Sequence, residues 1–253
     1  MNRIIICDKD YEIECPTVTW KDPGGMNAYP FKKFNGRNLT LDQLKKQTSC
    51  FVLHHSVTYT AKTCYDVLVD RGLSCTFLID DDDQNGYATL YQTLDVKEVA
   101  WSHKPLNSLG AGVEICYMPQ AWENTNLYSE SNRKKFKVPE HQIVEDTIQG
   151  KKLKVFAPTQ AQMNTVQALV YAICSNLSVP PVFPRNDNGT ISKSSIASPK
   201  DHKGLLGHFN ITNQKFDPAG LDFEWLESKI QSRLQNNSSI GKIISEFDDK
   251  FLK

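Results

Sequence analysis

Residues 50–58 read Cys-Phe-Val-Leu-His-His-Ser-Val-Thr. Four apolar residues lead directly into two histidines. A run this short, apolar and bounded suits a buried strand. Imidazole nitrogens at the end of such a strand sit at the margin of a core, where an unpartnered polar group is costly. Neighbouring side chains on a strand point to opposite faces. His54 and His55 therefore look to different sides of the sheet, and only one of them can serve a given site.

Downstream, residues 63–71 carry Cys64, Val67 and Leu68 at helical spacing, and Gly72 ends the pattern. Residues 74–80 (SCTFLID) read as the next strand. The acidic turn Asp80-Asp81-Asp82-Asp83 with Asn85-Gly86 predicts an antiparallel return over 87–91. Residues 111–117 (AGVEICY) form a further core strand. Residues 118–156 turn polar and loop-like and read as an insertion. Thr159 with Gln162 makes a capping box for a helix whose stripe is Val166, Leu169, Val170, Ile173 and Leu177. A second irregular stretch, 180–203, ends in Gly204-Leu205-Leu206-Gly207-His208, a strand ending at a histidine. Residues 222–234 read as the last domain helix, 236–239 as a polar break and 240–252 as an amphipathic tail helix.

Upstream, residues 3–7 and 11–15 resemble two short strands, 16–36 a Pro/Gly-rich loop, and 41–47 a helix capped by Thr40. The expected organisation is an N-terminal extension (1–48), a domain (49–235) with insertions at 118–156 and 180–203, and a tail (236–253). Strands interspersed with helices define an α/β class.

Composition narrows the function classes. The 253 residues hold 29 Lys plus Arg and 29 Asp plus Glu, so no net charge draws the chain to nucleic acid. Seven scattered cysteines with no CxxC pair read as reduced core residues rather than a disulfide framework or zinc ribbon. Neither a signal-peptide core nor an apolar stretch of about 20 residues is present. The expectation is a monomeric product made in the cytoplasm that reaches any external substrate by release or delivery.

Chemistry gathers at three places: the His54-His55 segment, Gly112-Val113-Glu114-Ile115, and Gly207-His208 with Lys215-Phe216-Asp217-Pro218. Two histidines and an aspartate suffice for a catalytic zinc with water in the fourth position. Glu114 can take the water proton and Lys215 can neutralise an oxyanion. The spacings are long, and no HExxH-type signature enforces convergence.

Taken in order, these segments resemble a known family. The order is the strand ending in His54-His55-Ser56-Val57-Thr58, then Phe77-Leu78-Ile79-Asp80 with its acidic turn, then Ala100-Trp101-Ser102-His103. Gly112-Val113-Glu114-Ile115 follows, then Gly207-His208-Phe209-Asn210-Ile211, Lys215-Phe216-Asp217-Pro218-Ala219-Gly220 and Phe223-Glu224-Trp225. The pattern is similar to the amidase_2 family, which includes bacterial and phage N-acetylmuramoyl-L-alanine amidases and animal peptidoglycan recognition proteins. The resemblance spans about 49–117 and 159–227. It implies a central mixed β-sheet flanked by helices, with zinc (Zn2+) in a groove held by His54, His208 and Asp217. It further implies Glu114 as catalytic acid/base, Lys215 as the lysine polarising the scissile carbonyl, and peptidoglycan or muropeptide as partner.

Many members carry an aromatic residue and a histidine before the Phe of the second strand. Here Cys75 and Thr76 stand there, which disfavours a Tyr-assisted mechanism. The segment from Gly-His to Lys-x-Asp is also one residue shorter than in some members. Trp101 and His103 resemble groove-lining positions, with an exposed loop as the alternative for His103. Trp122 and Tyr128 are further candidates for stacking on sugars. His55 is expected to pack or hydrogen-bond, His141 and His202 to be solvated, and Asp80–Asp83 to be a solvated turn. A non-catalytic peptidoglycan-binding module, a zinc peptidase acting on the cross-bridge and a phage structural component are the rival functions.

Overall fold

From the N-terminus the elements run β1 (Arg3–Ile6), β2 (Lys9–Glu12), β3 (Thr17–Thr19), α1 (Leu41–Gln47), β4 (Cys50–Val57), α2 (Ala61–Asp70), β5 (Phe77–Ile79), β6 (Leu90–Gln92) and β7 (Gly110–Tyr117). They continue with α3 (Glu130–Phe136), β8 (Ile143–Ile148), β9 (Lys151–Phe156), α4 (Gln160–Leu177), β10 (Gly204–Gly207), α5 (His208–Ile211) and α6 (Phe223–Phe251). The structure is a computed structural model that describes residues 2–32 and 38–251, with only the backbone described from 238 onward.

Six strands form a mixed sheet in the order β10-β4-β7-β5-β6-β3. β10, β4, β7 and β5 run parallel, whereas β6 returns antiparallel to β5 and carries β3 parallel to itself. The expected central mixed sheet flanked by helices is therefore the architecture observed. β4 and β7 lie in the middle, covered on both faces, which is why each reads as a near-continuous apolar run. Their register pairs His54 with Glu114, and β10 pairs Gly207 with Leu53. His208 thus follows directly on the end of its strand, next to the His54 row.

The sheet's two faces divide the side chains by parity. Phe51, Leu53, Phe77, Val113, Ile115 and Tyr117 face the main core with Val166, Leu169, Val170 and Ile173 of α4 and Leu226 and Ile230 of α6. Burying each such side chain stabilises the fold by about 1.5–3 kcal/mol before entropy is counted. Leu78 and Cys116 face α2, where Ala61, Cys64 and Leu68 cover them. His54 and Glu114 share that second face, beyond the end of the α2 contact. α4 begins with the expected capping box: Thr159 accepts from Gln162 N–H and the Gln162 side chain accepts from Thr159 N–H.

The N-terminal residues are integrated with the sheet, since β3 forms its edge. The β1–β2 hairpin is clamped by two buried side chains near β6. Gln92 bonds both the N–H and the carbonyl of Ile5, and Asp95 accepts from the N–H groups of Cys7 and Asp8.

Five expectations need correction. Residues 118–156 are not an irregular loop: they hold α3 and the β8–β9 hairpin, turned at Gln149-Gly150 with φ of 52° and 73°. Positive φ at both turn positions matches the right-handed strand twist. The hairpin escapes a hydrophobic-pattern reading because Ile143, Val144, Glu145 and Thr147 of β8 are all exposed. The acidic turn is not wholly solvated: Asp81 is buried and meets His141 Nε2 at 2.8 Å. His141 is buried as well, with Nδ1 on the Ala157 carbonyl at 2.7 Å and Tyr128 stacked at 4.0 Å between centroids. Tyr128 is thus a core ring rather than a sugar platform. The backbone of α6 runs through 236–239 without a break. Residues 33–36 of the expected loop and residue 252 of the tail helix lie outside the described residues.

Candidate metal centre

Three donor atoms, from β4, from the start of α5 and from the loop after it, converge on one point. His54 Nδ1 lies 3.0 Å from His208 Nδ1 and 3.0 Å from Asp217 Oδ2, and His208 Nδ1 lies 2.9 Å from the same Asp217 oxygen. Among the described residues this is the group of histidine, cysteine and acidic side chains able to hold a metal ion. His54 is 1% exposed, Asp217 8% and His208 9%.

Local structure explains the placement. Gly207 ends β10 and its N–H donates to Asn210 Oδ1 at 2.9 Å, so the chain turns at once into α5. A Cβ at Gly207 would lie 2.6 Å from the Phe209 ring. The loop after α5 returns Asp217 to His208, and the Phe209 N–H donates to the Asp217 carbonyl at 3.1 Å.

The donor set fits zinc. Two imidazole nitrogens and a carboxylate oxygen at mutual distances near 3 Å oppose their lone pairs unless protons or a cation lie between them. Ligands about 2.0–2.2 Å from one shared zinc stand at roughly this separation. Burial, then the neighbouring His208, pushes the His54 pKa down to about 4, so the ring is neutral and its lone pair available near neutral pH. Burial would raise Asp217, but the hydrogen bonds from His208 and His54 outweigh it and hold the carboxyl well below the usual range.

Around the donors opens a cleft of about 310 Å³ lined by Ser56, Thr58, Arg71, Ser102, Glu114 and Lys215 among others. Glu114 reaches it from the middle of β7, and its Oε2 is shielded without a hydrogen-bond partner. Burial, then Asp217, raises its pKa to about 8. Lys215 is exposed on the cleft wall. Arg71, the residue capping α2, also lines the cleft and was not singled out by sequence; its lone signal was its place beside Gly72 at a helix end.

His55 points to the other face, where its Nδ1 accepts the Ala219 N–H at 3.0 Å. His103 is fully buried and lies behind His54, with the two rings 26° from parallel and 5.7 Å apart. Its Nδ1 meets Ser102 Oγ at 2.8 Å, and a Cβ on Gly112 would come within 3.0 Å of that nitrogen. Neither His103 nor the partly buried Trp101 lines the cleft; Ser102 between them does. Trp122 is exposed and away from it.

A mixed sheet flanked by helices, with two histidines and an aspartate gathered beside β4 and β10, defines an α/β protein with a site able to hold a metal ion. The family described as Amidase_2, N-acetylmuramoyl-L-alanine amidase, matches residues 44–220, and the chain belongs to it. No curated protein sequence matches the chain. Among solved structures it is similar to the endolysin N-acetylmuramoyl-L-alanine amidase LysCS from Clostridium intestinale URNW, at 14% identity over 74% of this chain and 86% of that one, with a TM-score of 0.44. It is also similar to AmpDh3 from Pseudomonas aeruginosa, at 13% identity over 78% and 63% with a TM-score of 0.46. Drosophila PGRP-LB is similar at 13% identity over 85% and 94%, with a TM-score of 0.43. No helix among the described residues is long and apolar enough to cross a membrane.

Proposed function

We propose that the chain is a zinc-dependent hydrolase of the amide joining N-acetylmuramic acid to L-alanine in peptidoglycan, with residues 49–235 as its catalytic domain. Membership of the amidase family supports the bond class. The convergence of His54, His208 and Asp217 beside Glu114 carries the proposal.

Zinc held by these three side chains would supply a Lewis acid with an open position and lower the pKa of a water toward 7. Glu114 lines the same cleft with an unpartnered oxygen. A dication held at the triad would favour its ionised form, and Glu114 could then accept and return a proton near neutral pH. It takes one proton from the attacking water as the water oxygen bonds to the lactyl carbonyl carbon. Lys215 stabilises the oxyanion that develops. When the C–N bond breaks, Glu114 delivers its proton to the departing alanine nitrogen; the new lactyl carboxyl then gives its remaining proton to solvent, leaving a carboxylate and a free amine.

Asp217 favours an enzyme over a binding module, because a recognition site has no need of a third donor. The proposed setting is the bacterial wall, reached after release or delivery, as for a phage endolysin. The test is to digest purified walls with the full chain and identify the new termini by mass spectrometry. Free L-alanine amines with intact glycan support the proposal. New termini within the cross-bridge would mark a peptidase instead, and wall binding without release a recognition module.

A further inference from the structure

Both insertions meet the loop that carries two of the three donors. At the tip of the β8–β9 hairpin, Gln149 Nε2 donates to the carbonyls of Phe209 at 2.8 Å and Thr212 at 3.1 Å, with the Lys215 carbonyl at 3.4 Å. Its Oε1 accepts the N–H of Ser195, from the second insertion, at 3.1 Å, which fixes the orientation of the amide. Before it on β8, buried Asp146 accepts the Gly220 N–H at 2.9 Å and pairs with Lys193 at 2.7 Å. The hairpin therefore holds residues 208–220 at both ends. From the other side, Asn210 Nδ2 donates to the carbonyls of Ser192 and Ser194 at 2.9 and 3.0 Å.

Without these bonds the carbonyls of Phe209 and Lys215 would lose their side-chain partner, and that of Thr212 would keep only the long bond from the Lys215 N–H at 3.4 Å. The loop is short and carries no strand of its own. Placing His208 and Asp217 within 2.9 Å of each other requires both ends of the loop to be fixed. A metal site depends on such support: lost outer partners typically lower metal affinity by 10–100-fold.

We propose that the β8–β9 hairpin is a clamp on the ligand loop and that Gln149 is its positioning residue, setting His208, Lys215 and Asp217 without touching substrate. The inference rests on the metal reading above. The position suits a side chain that both donates and accepts: two N–H donors face carbonyls while the oxygen faces an N–H.

The test compares the full chain with Gln149→Glu, Gln149→Ala and Gln149→Lys. Zinc affinity is measured by competition with a chromophoric chelator, and amide exchange over 208–220 is measured on metal-free protein. Gln149→Glu keeps the shape but turns acceptors toward acceptors. The Glu and Ala variants are expected to bind zinc roughly 10–100-fold more weakly and to exchange faster over 208–220. The main-core helices should exchange as in the parent. Gln149→Lys, whose ammonium can donate to the carbonyls, should recover part of the loss. Parent-like zinc affinity and loop exchange in Gln149→Glu would overturn the clamp. A parent chain that binds no zinc would instead remove the metal reading, and the exchange data alone would then judge the clamp.

Discussion

At the residue scale, the decisive side chain is Glu114. Replacing it with Ala should leave zinc bound but lower the hydrolysis rate roughly 10²–10⁴-fold, the usual contribution of a positioned acid–base group. Parent-like turnover in that variant would remove Glu114 from the chemistry. The same carboxyl has a cost in the metal-free fold. Its pKa rises from 4.5 to about 8, chiefly through burial. The folded state therefore holds the proton more tightly than the unfolded one between those values, and stability falls as pH rises across that window. In chelator-treated protein, Glu114→Gln should be more stable than the parent at pH 8 by roughly 2–4 kcal/mol, reduced by solvent in the cleft. The advantage should shrink toward pH 4.5. Urea unfolding at several pH values checks it, and a constant difference would refute the assignment. His55 contributes to the acid limb with the opposite sign, as do the buried His54 and His103. Burial lowers the His55 pKa to about 4 from 6.5, so its share of stability is complete above 6.5 and is lost as pH falls toward 4. Protonating Nδ1 would also end the bond from Ala219.

At the element scale, the region 118–156 is held by a buried knot. His141 bridges the Asp81 carboxylate and the Ala157 carbonyl, Tyr128 donates to Asp81 at 3.2 Å, and the Tyr128 oxygen accepts the Met118 N–H at 2.9 Å. α3 adds Phe136, stacked 4.1 Å from Tyr59 beside the cleft wall. Removing one partner from such a pair leaves an uncompensated buried charge, which costs about 3–5 kcal/mol. His141→Ala should show that loss in denaturant unfolding and earlier proteolytic cutting within 118–157. A loss below about 1 kcal/mol would show that Asp81 finds another partner.

At the scale of the whole molecule, metal and fold are linked. The donors come from β4, from α5 just beyond β10, and from the loop after α5, so an ion bound among them ties together segments distant in sequence. A ligand that binds only the folded state stabilises it by about 4 kcal/mol at a thousandfold excess over its Kd. Chelation should therefore lower the melting temperature and abolish wall hydrolysis, with zinc restoring both. Scanning calorimetry with and without chelator tests this; a melting curve indifferent to zinc would argue against a metal at the triad.

The alternating and helical patterns of the sequence determined the central strands, the capped helices α1 and α4, and the side to which His54 and His55 each turn. These follow from local rules: chain parity, apolar period and cap chemistry act over a few residues. Lys215 and Asp217 were legible only through the order of motifs, because nothing in their spacing makes a loop close on a strand 160 residues away. The β8–β9 hairpin and the burial of Asp81, His103 and His141 were decided by tertiary structure alone. A polar strand or a lone histidine looks the same in sequence whether it meets water or a partner. Only packing chooses between them, since a buried polar group survives where the fold supplies its hydrogen bonds.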